Sequence, residues 1–251
     1  MDEACIKEQF FLFYQPLFDI QSNRLTGIEA LIRWNHPVQG LVTPEEIFPR
    51  AESAHQMIWI GNWVLQHACR QNQRWQAAGL PAVPVAVNLS SAQFLHQGIF
   101  QMIRETLAET GLDANFLEIE ISETLSMRDP QVTLLILQQL QQLGIKASID
   151  DFGTGYSSLR QLKKLPINRL KIDISIIQGI GSDPDDLTIA SSIISLAKNM
   201  GIGVIAEGVE TEAQLQLLKQ LQCDQAQGFY LGLPMQVSEM QTLLENITRN
   251  H

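Results

Sequence analysis

The sequence predicts an α/β protein, a modified TIM (β/α)8 barrel with the first strand antiparallel to the rest, on three observations. Eight short β-branched or apolar runs recur near residues 10–20, 24–33, 84–89, 116–122, 145–150, 169–174, 202–207 and 225–231. Helix-length stretches with leucine-rich periodicity, such as Gln131 to Leu143 and Ala213 to Leu221, lie between most of them. A length of 251 residues is what eight such units fill. No linker, charge block, low-complexity stretch or internal repeat divides the chain, so one domain spanning 1–251 is expected.

Each element has its own signal. Only a few residues around Gln21-Ser22-Asn23 separate the first two runs. That is too short for a crossover between parallel strands, so these two are read as antiparallel. Helix starts are marked at Thr43-Pro44-Glu45-Glu46, Ser90-Ser91-Ala92-Gln93, Asp129-Pro130, Asp183-Pro184 and Thr211-Glu212-Ala213-Gln214. In each, a side-chain oxygen can cap free N–H groups, and in three a proline follows. Helix ends are marked by Gly79, Gly111, Gly144 and Gly201, each shortly before the next run. A doubly wound sheet would need a Gly-rich phosphate turn near its first strand, and the sequence has none there.

Composition removes several classes of function. Apolar residues are 45% and charged residues 18%, which excludes disordered and collagen-like chains. No apolar run approaches the ~20 residues of a membrane helix, and the acidic start Met1-Asp2-Glu3-Ala4 does not read as a secretory signal. Cys5, Cys69 and Cys223 are odd in number and far apart, the pattern of reduced thiols in a cytoplasmic protein. A net charge of −10 gives no footprint for duplex nucleic acid or an anionic membrane surface. An anionic ligand would need a local reversal of the field, for which a divalent cation is the usual means.

Barrel enzymes carry their chemistry at the C-terminal ends of strands, and polar residues sit there: Glu29 and Arg33, Asn88, Glu118 and Glu120, Asp150-Asp151, Lys171 and Asp173, Glu207, then Gln225 and Gln227. Alternation places Leu117, Ile119 and Ile121 on one face and Glu118, Glu120 and Ser122 on the other. Likewise Leu170, Ile172 and Ile174 are expected to face out while Lys171 and Asp173 face in. Buried carboxylates cost several kcal/mol each, on the order of the penalty for an unpaired ion. A ring of them drawn from separate strands requires positive charge among them. The ring offers oxygen donors, and the five histidines lie outside it, so Mg²⁺ or Mn²⁺ suits it better than zinc. Several carboxylates together can hold two ions about 3.5–4 Å apart, suited to in-line attack on phosphorus.

These residues fall in a recognisable order. Glu29-Ala30-Leu31, within Gly27-Ile28-Glu29-Ala30-Leu31-Ile32-Arg33-Trp34, resembles the signature of the EAL family of cyclic di-GMP phosphodiesterases. Tyr14-Gln15-Pro16, Val87-Asn88-Leu89-Ser90, Glu120-Ile121-Ser122-Glu123 and Asp150-Asp151-Phe152-Gly153-Thr154-Gly155 follow the same pattern. So do Leu170-Lys171-Ile172-Asp173, Ala206-Glu207-Gly208-Val209-Glu210 and Gln227-Gly228-Phe229. The match runs from about residue 10 to 235.

The resemblance implies hydrolysis of one phosphodiester bond of cyclic di-GMP to linear pGpG, by metal-activated water, with Mg²⁺ or Mn²⁺; Ca²⁺ is expected to inhibit. It implies that Glu29, Asn88, Glu120 and Asp150 ligate the first metal, and that Asp151, with Asp150 and Asp173, serves the second. Glu207 falls where the family has its glutamate proposed as general base, and Lys171 where a lysine orients the attacking water. Glu207 as a holder of metal or water remains the alternative. Arg33 matches a contact to substrate phosphate, and Gln15 and Gln227 border the substrate. Glu123 matches the glutamate that anchors the loop from Asp151 to Ser158. A cap on the following helix is the other reading of Glu123, and a surface salt bridge the other reading of Arg33. Ser122, Asn168 and Ile174 depart from the family's usual residues, none of them at a ligand position.

The resemblance also implies a homodimer and a longer signalling protein with a sensor or diguanylate cyclase domain upstream. This domain would be cytoplasmic and touch no membrane itself, while the full-length protein could be tethered to one. A non-catalytic module that senses cyclic di-GMP is the alternative function, and a metal-dependent hydrolase of another phosphoester a third. Asp151-Phe152-Gly153 also occurs in kinases, but their strand lysine and His-Arg-Asp loop are missing. The Leu134/Leu135/Leu137/Leu140 stripe is read as a core-facing helix, and Trp59, Trp63 and Trp75 as packing in one long helix.

Overall fold

A computed structural model describes residues 9–43, 46, 54–155 and 158–249. Cys5, Pro44-Glu45 of the helix start at Thr43-Pro44-Glu45-Glu46, and Tyr156-Ser157 of the glycine loop lie outside the described residues. In chain order the strands are β1 Phe10–Asp19, β2 Leu25–His36, β3 Gly40–Val42, β4 Val85–Asn88, β5 Leu117–Ser122, β6 Lys146–Phe152, β7 Arg169–Ile172, β8 Gly203–Ala206 and β9 Gln225–Ala226. The helices are α1 Ala54–Ala77, α2 Ser91–Phe94, α3 Ile99–Thr110, α4 Glu123–Arg128, α5 Pro130–Gln142, α6 Leu159–Leu162, α7 Ile174–Gly179, α8 Pro184–Met200, α9 Glu212–Gln220 and α10 Val237–Arg249. Two compact units divide the chain, one holding the residues up to 15, 28–117 and from 234, the other holding 16–27 and 118–233.

In the first unit β2 runs parallel to β4, with Glu29 opposite Ala86, and antiparallel to β3. The β2–β3 hairpin is absent from the sequence reading. His36 Nδ1 organises its turn by accepting hydrogen bonds from the N–H groups of Val38 and Gln39. The long helix α1 buries Leu65, Ala68 and Cys69 completely. Its tryptophans pack as expected: Trp63 and Trp59 lie against Phe10, and the Trp75 ring meets Tyr14 edge-on at 4.9 Å. Such edge contacts suit the aromatic quadrupole. Asn72 Nδ2 donates to the carbonyls of Val83 and Phe116, tying α1 to the entrances of two strands.

In the second unit β5, β6, β7, β8 and β9 form a continuous parallel series. The end of β1 pairs antiparallel with β9, Phe18 opposite Ala226. It then turns back within a few residues, the Asp19 N–H donating to the Arg24 carbonyl and Asp19 Oδ1 accepting from Ser22. The short Gln21-Ser22-Asn23 connection accounts for the reversed first strand. Residues on both faces of β5 are buried, the apolar Leu117, Ile119 and Ile121 on one face and the acids Glu118 and Glu120 on the other.

The helix boundaries follow the caps. Ser90, Asp129, Asp183 and Thr211 each accept a hydrogen bond from the first turn of the helix they open, and Thr211 with Gln214 completes a capping box. Gly79, Gly111, Gly144 and Gly201 all take the positive φ that ends a helix.

Three expectations are corrected. The run at 169–174 stops as a strand at Ile172, because Asp173 caps α7 by accepting from the Ser175 N–H; Ile174 lies on that helix and is exposed, not on an outward strand face. The run at 225–231 is a strand only over Gln225–Ala226, after which hydrogen bonds to Val209 bend the chain into turns. Of the α5 stripe, Leu137 and Leu140 are buried but Leu135 is exposed and Leu134 half-buried. Leu134 and Leu135 instead line a surface groove with Pro130, Gln131, Gln161, Lys164 and Leu165. Ile136 and Thr133 take the buried places, as helical spacing from Leu140 requires.

Candidate active site

The first unit brings two of the expected residues into contact. Glu29, on β2, and Asn88, at the end of β4, lie on neighbouring parallel strands, and Asn88 Nδ2 donates to Glu29 Oε1 at 2.7 Å. The amide oxygen of Asn88 and the carboxylate of Glu29 are both hard oxygen donors. Arg33 shares the β2 face with Glu29 by the two-residue period. Its guanidinium lies 5.4 Å from the Phe13 ring centroid and donates to the Ile32 carbonyl. Gln15, on β1, is buried.

In the second unit the centre is Lys171. Its ammonium is 2.7 Å from Glu120 Oε2, 2.8 Å from Glu207 Oε1 and 3.3 Å from Asp150 Oδ1. The side chain is only 1% exposed, so these pairs lie where charge interactions are weakly screened. Strand geometry explains the meeting. Glu120, Asp150 and Lys171 come from adjacent parallel strands β5, β6 and β7, and Glu207 directly follows β8.

Adjacent strand residues ordinarily point to opposite faces, yet the carboxylates of Asp150 and Asp151 lie together. Carboxylate oxygens of Asp150, Asp151 and Glu207 all lie within 4.8 Å of one another. A β-bulge resolves the conflict. Between the pairs Ile149–Leu170 and Phe152–Ile172, β6 advances three residues while β7 advances two, and Asp151 sits at φ 56 in the left-handed region. Asp150 Oδ1 accepts the Asp151 N–H in this turn. Burial of the Asp151 carboxyl, then the charges of Asp150 and Asp173, push its pKa up to about 6, with Lys171 opposing. Asp173 shares that neighbourhood but also accepts from the Ser175 N–H and hydroxyl as the α7 cap.

The loop after β6 is held by Glu123. Its Oε2 accepts the Gly153 N–H at 2.8 Å and the Gly155 N–H at 3.2 Å. The cap of α4 is not Glu123 but Ser122, whose hydroxyl accepts from the Leu125 N–H. Gly153 has φ +106, a backbone conformation that favours glycine, and a β-carbon there would also press on Ile176 Cδ1 at 2.5 Å. Gln227 is buried; its N–H donates to the Ala206 carbonyl and its carbonyl accepts the Val209 N–H. Those bonds splice the segment after β9 to the segment carrying Glu207.

The donors are a carboxylate and an amide oxygen in the first unit and carboxylates in the second, sets suited to hard divalent ions. In the second unit the carboxylates of Glu120, Asp150, Asp151 and Glu207 gather about the Lys171 ammonium, a concentration of negative charge that a divalent cation would offset. Among the described residues Cys69 and Cys223 are free and buried, burial pushes both thiols up to about 12, and neither belongs to the carboxylate cluster. The bulge, and an ion pair between Arg169 and Glu118 below Lys171, are absent from the sequence reading.

A family model described as the EAL domain matches residues 1–234. The chain belongs to the EAL domain family. MucR of Pseudomonas aeruginosa, named a bifunctional diguanylate cyclase/cyclic di-GMP phosphodiesterase, is 43% identical over 238 residues, 95% of this chain and 35% of the relative. NbdA of the same organism, named a cyclic di-GMP phosphodiesterase, is 37% identical over 96% of this chain and 31% of its own length. This EAL domain thus spans about a third of the length of these curated relatives.

Among solved structures, the PaMucR phosphodiesterase in complex with c-di-GMP superimposes with a TM-score of 0.90 at 44% identity, covering 93% of this chain and 95% of that one. The EAL domain of Mycobacterium smegmatis DcpA gives 0.80 at 36% identity, covering 94% and 95%. The fold class read from the sequence, a modified TIM (β/α)8 barrel with its first strand reversed, is that of the EAL domain. No helix among the described residues is long and apolar enough to cross a membrane.

Proposed function

We propose that this EAL domain hydrolyses one phosphodiester bond of cyclic di-GMP to pGpG in a divalent-metal-dependent reaction. The observation that carries the reading is the buried Lys171 ammonium ringed by Glu120, Asp150 and Glu207, with Asp151 turned into the same cluster by the bulge. Phosphodiesterase relatives at 43% and 37% identity support the substrate.

In this reading Glu29, Asn88, Glu120 and Asp150 hold a first Mg²⁺ or Mn²⁺, and Asp151 with Asp150 and Asp173 a second. Bound there, such ions acidify water and offset charge on the phosphate oxygens. The remaining work belongs to side chains. Lys171 fixes the spacing of three carboxylates and donates to the attacking water. Glu207, 2.8 Å from that ammonium, takes the proton from this water or helps hold the metal. Arg33 offers a planar fork to a substrate phosphate, and Gln15 and Gln227 border the dinucleotide. Glu123 sets the height of the glycine loop over Asp151, linking the loop's state to the metal cluster.

The two units work in this reading as one domain, 1–251, within a longer cytoplasmic signalling protein that pairs as a homodimer. An upstream diguanylate cyclase or sensor region accords with the length and name of MucR. Chromatography of cyclic di-GMP incubated with the protein and Mg²⁺, Mn²⁺ or Ca²⁺ tests the function. Linear pGpG with the first two, suppressed by Ca²⁺ and absent for E29A and E207Q, is the expected outcome. Cyclic nucleotide that binds but stays intact after hours would make the domain a sensor and reject hydrolysis.

A further inference from the structure

Beneath the Lys171 cluster the same three strands repeat its layout, displaced by two residues on each. Glu118 precedes Glu120 on β5, Ser148 precedes Asp150 on β6, and Arg169 precedes Lys171 on β7. A two-residue step along a strand returns to the same face about 6.6 Å away. The Arg169 guanidinium pairs with Glu118 Oε2 as Lys171 pairs with Glu120 Oε2. Ser148, completely buried, is in register with both Glu120 and Arg169. On β8 the lower position opposite Arg169 is Gly203, without a side chain, and the apolar Ile205 is opposite Lys171. The upper tier therefore gathers several acids about the Lys171 ammonium, whereas the lower pairs Glu118 with the Arg169 guanidinium, with Lys146 in register beside Glu118.

The lower tier is also under-satisfied. Glu118 Oε1 and Ser148 Oγ are buried without a hydrogen-bond partner among the described residues. A buried carboxylate with a spare oxygen is a strong attractor for any nearby cation. Two flexible ones share that face: Lys146, half-buried and in register with Glu118 on β6, and Lys171, fully buried one strand step above Arg169. A lysine's four-carbon stem can swing its ammonium by several ångströms, while the rigid arginine fork stays charged and in place.

We propose that Arg169 is a positioning residue: by occupying Glu118 and repelling the ammonium above it, it keeps Lys171 raised among Glu120, Asp150 and Glu207. Where Arg169 is lost, Lys171 turns down to Glu118 and abandons the upper carboxylates. This inference rests on the phosphodiesterase reading of the upper cluster, but half of its test needs no substrate.

The test compares the parent, R169M and E118Q/R169M, each checked for folding by circular dichroism and melting. Kinetics with saturating Mg²⁺ should show kcat reduced about 10-fold or more in R169M, the equivalent of 1.4 kcal/mol, with KM little changed. Calorimetry with Mn²⁺ alone should show tighter binding in R169M, because the upper carboxylates have lost their ammonium. E118Q/R169M removes the downward pull, so both kcat and Mn²⁺ affinity should return toward the parent, which a purely structural pair would not do. Folded R169M with parental kcat and Mn²⁺ affinity overturns the proposal. So does a double variant that stays as impaired as R169M. Should R169M alone not fold, E118Q/R169M decides against R169K: parental kcat in the double variant supports the proposal, and a loss exceeding that in R169K overturns it. A parent that binds Mn²⁺ yet hydrolyses nothing removes the phosphodiesterase reading while the Mn²⁺ comparison still judges the tier.

Discussion

Replacing Lys171 by methionine keeps most of the volume of the side chain and removes the ammonium that Glu120, Asp150 and Glu207 share. Three carboxylates then face one another. Breaking a buried ion pair costs about 3–5 kcal/mol. Asp150 and Glu207 retain 15% and 18% exposure, which places this case near the lower end, at about 3 kcal/mol. For a chain of this size each kcal/mol moves the melting temperature by about 2–4 °C, giving a fall of roughly 6–12 °C in the presence of a chelator.

A divalent ion supplies the missing positive charge, so added Mg²⁺ should raise the melting temperature of K171M more than that of the parent. Ligand at 100 times its Kd contributes about 2.7 kcal/mol, enough to recover most of the loss. Differential scanning calorimetry with chelator and with Mg²⁺ measures both quantities, and activity should stay lost in either. A chelated K171M within about 2 °C of the parent, or equal Mg²⁺ shifts for the two proteins, would refute this electrostatic picture of the cluster.

Other outcomes follow from single contacts. E123Q exchanges a charged acceptor for a neutral one beneath Gly153 and Gly155, and hydrogen bonds to charged groups contribute about 1.5–3 kcal/mol; hydrogen exchange at those two amides should accelerate while α4, capped by Ser122, keeps its protection. N88D sets a carboxylate where Asn88 now donates to Glu29, so melting in chelator should fall and the Mg²⁺ dependence of stability should steepen. Asp151, raised to about 6 when metal-free, binds a proton in the folded state that the unfolded chain has already lost between its ordinary range and pH 6. It therefore withdraws stability as pH rises through that window, and D151N in chelator should melt higher than the parent at pH 7.5 but equally at pH 3.5. G228A drives a β-carbon to 2.1 Å from the Val209 nitrogen and should lower the melting temperature sharply, measured by circular dichroism.

Much of this was legible because strand and helix signals act locally. Asp129-Pro130, Asp183-Pro184 and Thr211 through Gln214 announce their helices through hydrogen bonds made within one turn. The reversed first strand follows from chain length alone, since three residues cannot cross over a sheet. Less legible were features decided by competition. Asp173 reads equally as a strand residue and as a cap, and the free N–H of Ser175 decides for the cap. Leu134 and Leu135 are as apolar as Leu137, yet helical geometry turns them to the surface groove.

Within the candidate site, residue types and order were readable, and in the structure Glu29 meets Asn88 and Lys171 meets Glu120. Alternation alone would have sent Asp150 and Asp151 to opposite faces. Only a bulge, which needs the registers of β6 and β7 to be known, reconciles them. The Arg169–Glu118 pair was hidden for the same reason, because its partners lie 51 residues apart on strands separated by β6. Glu118, facing the same way as Glu120, was the signal that a second cation was needed.

Anomalous diffraction from crystals grown with Mn²⁺ probes the metal assignment without reference to turnover. One manganese peak should lie bonded, at about 2.0–2.3 Å, to oxygens of Glu29, Asn88, Glu120 and Asp150, with a second beside Asp151. Saturating Mn²⁺ that leaves those oxygens without a peak, or that binds only elsewhere on the acidic surface, would contradict it.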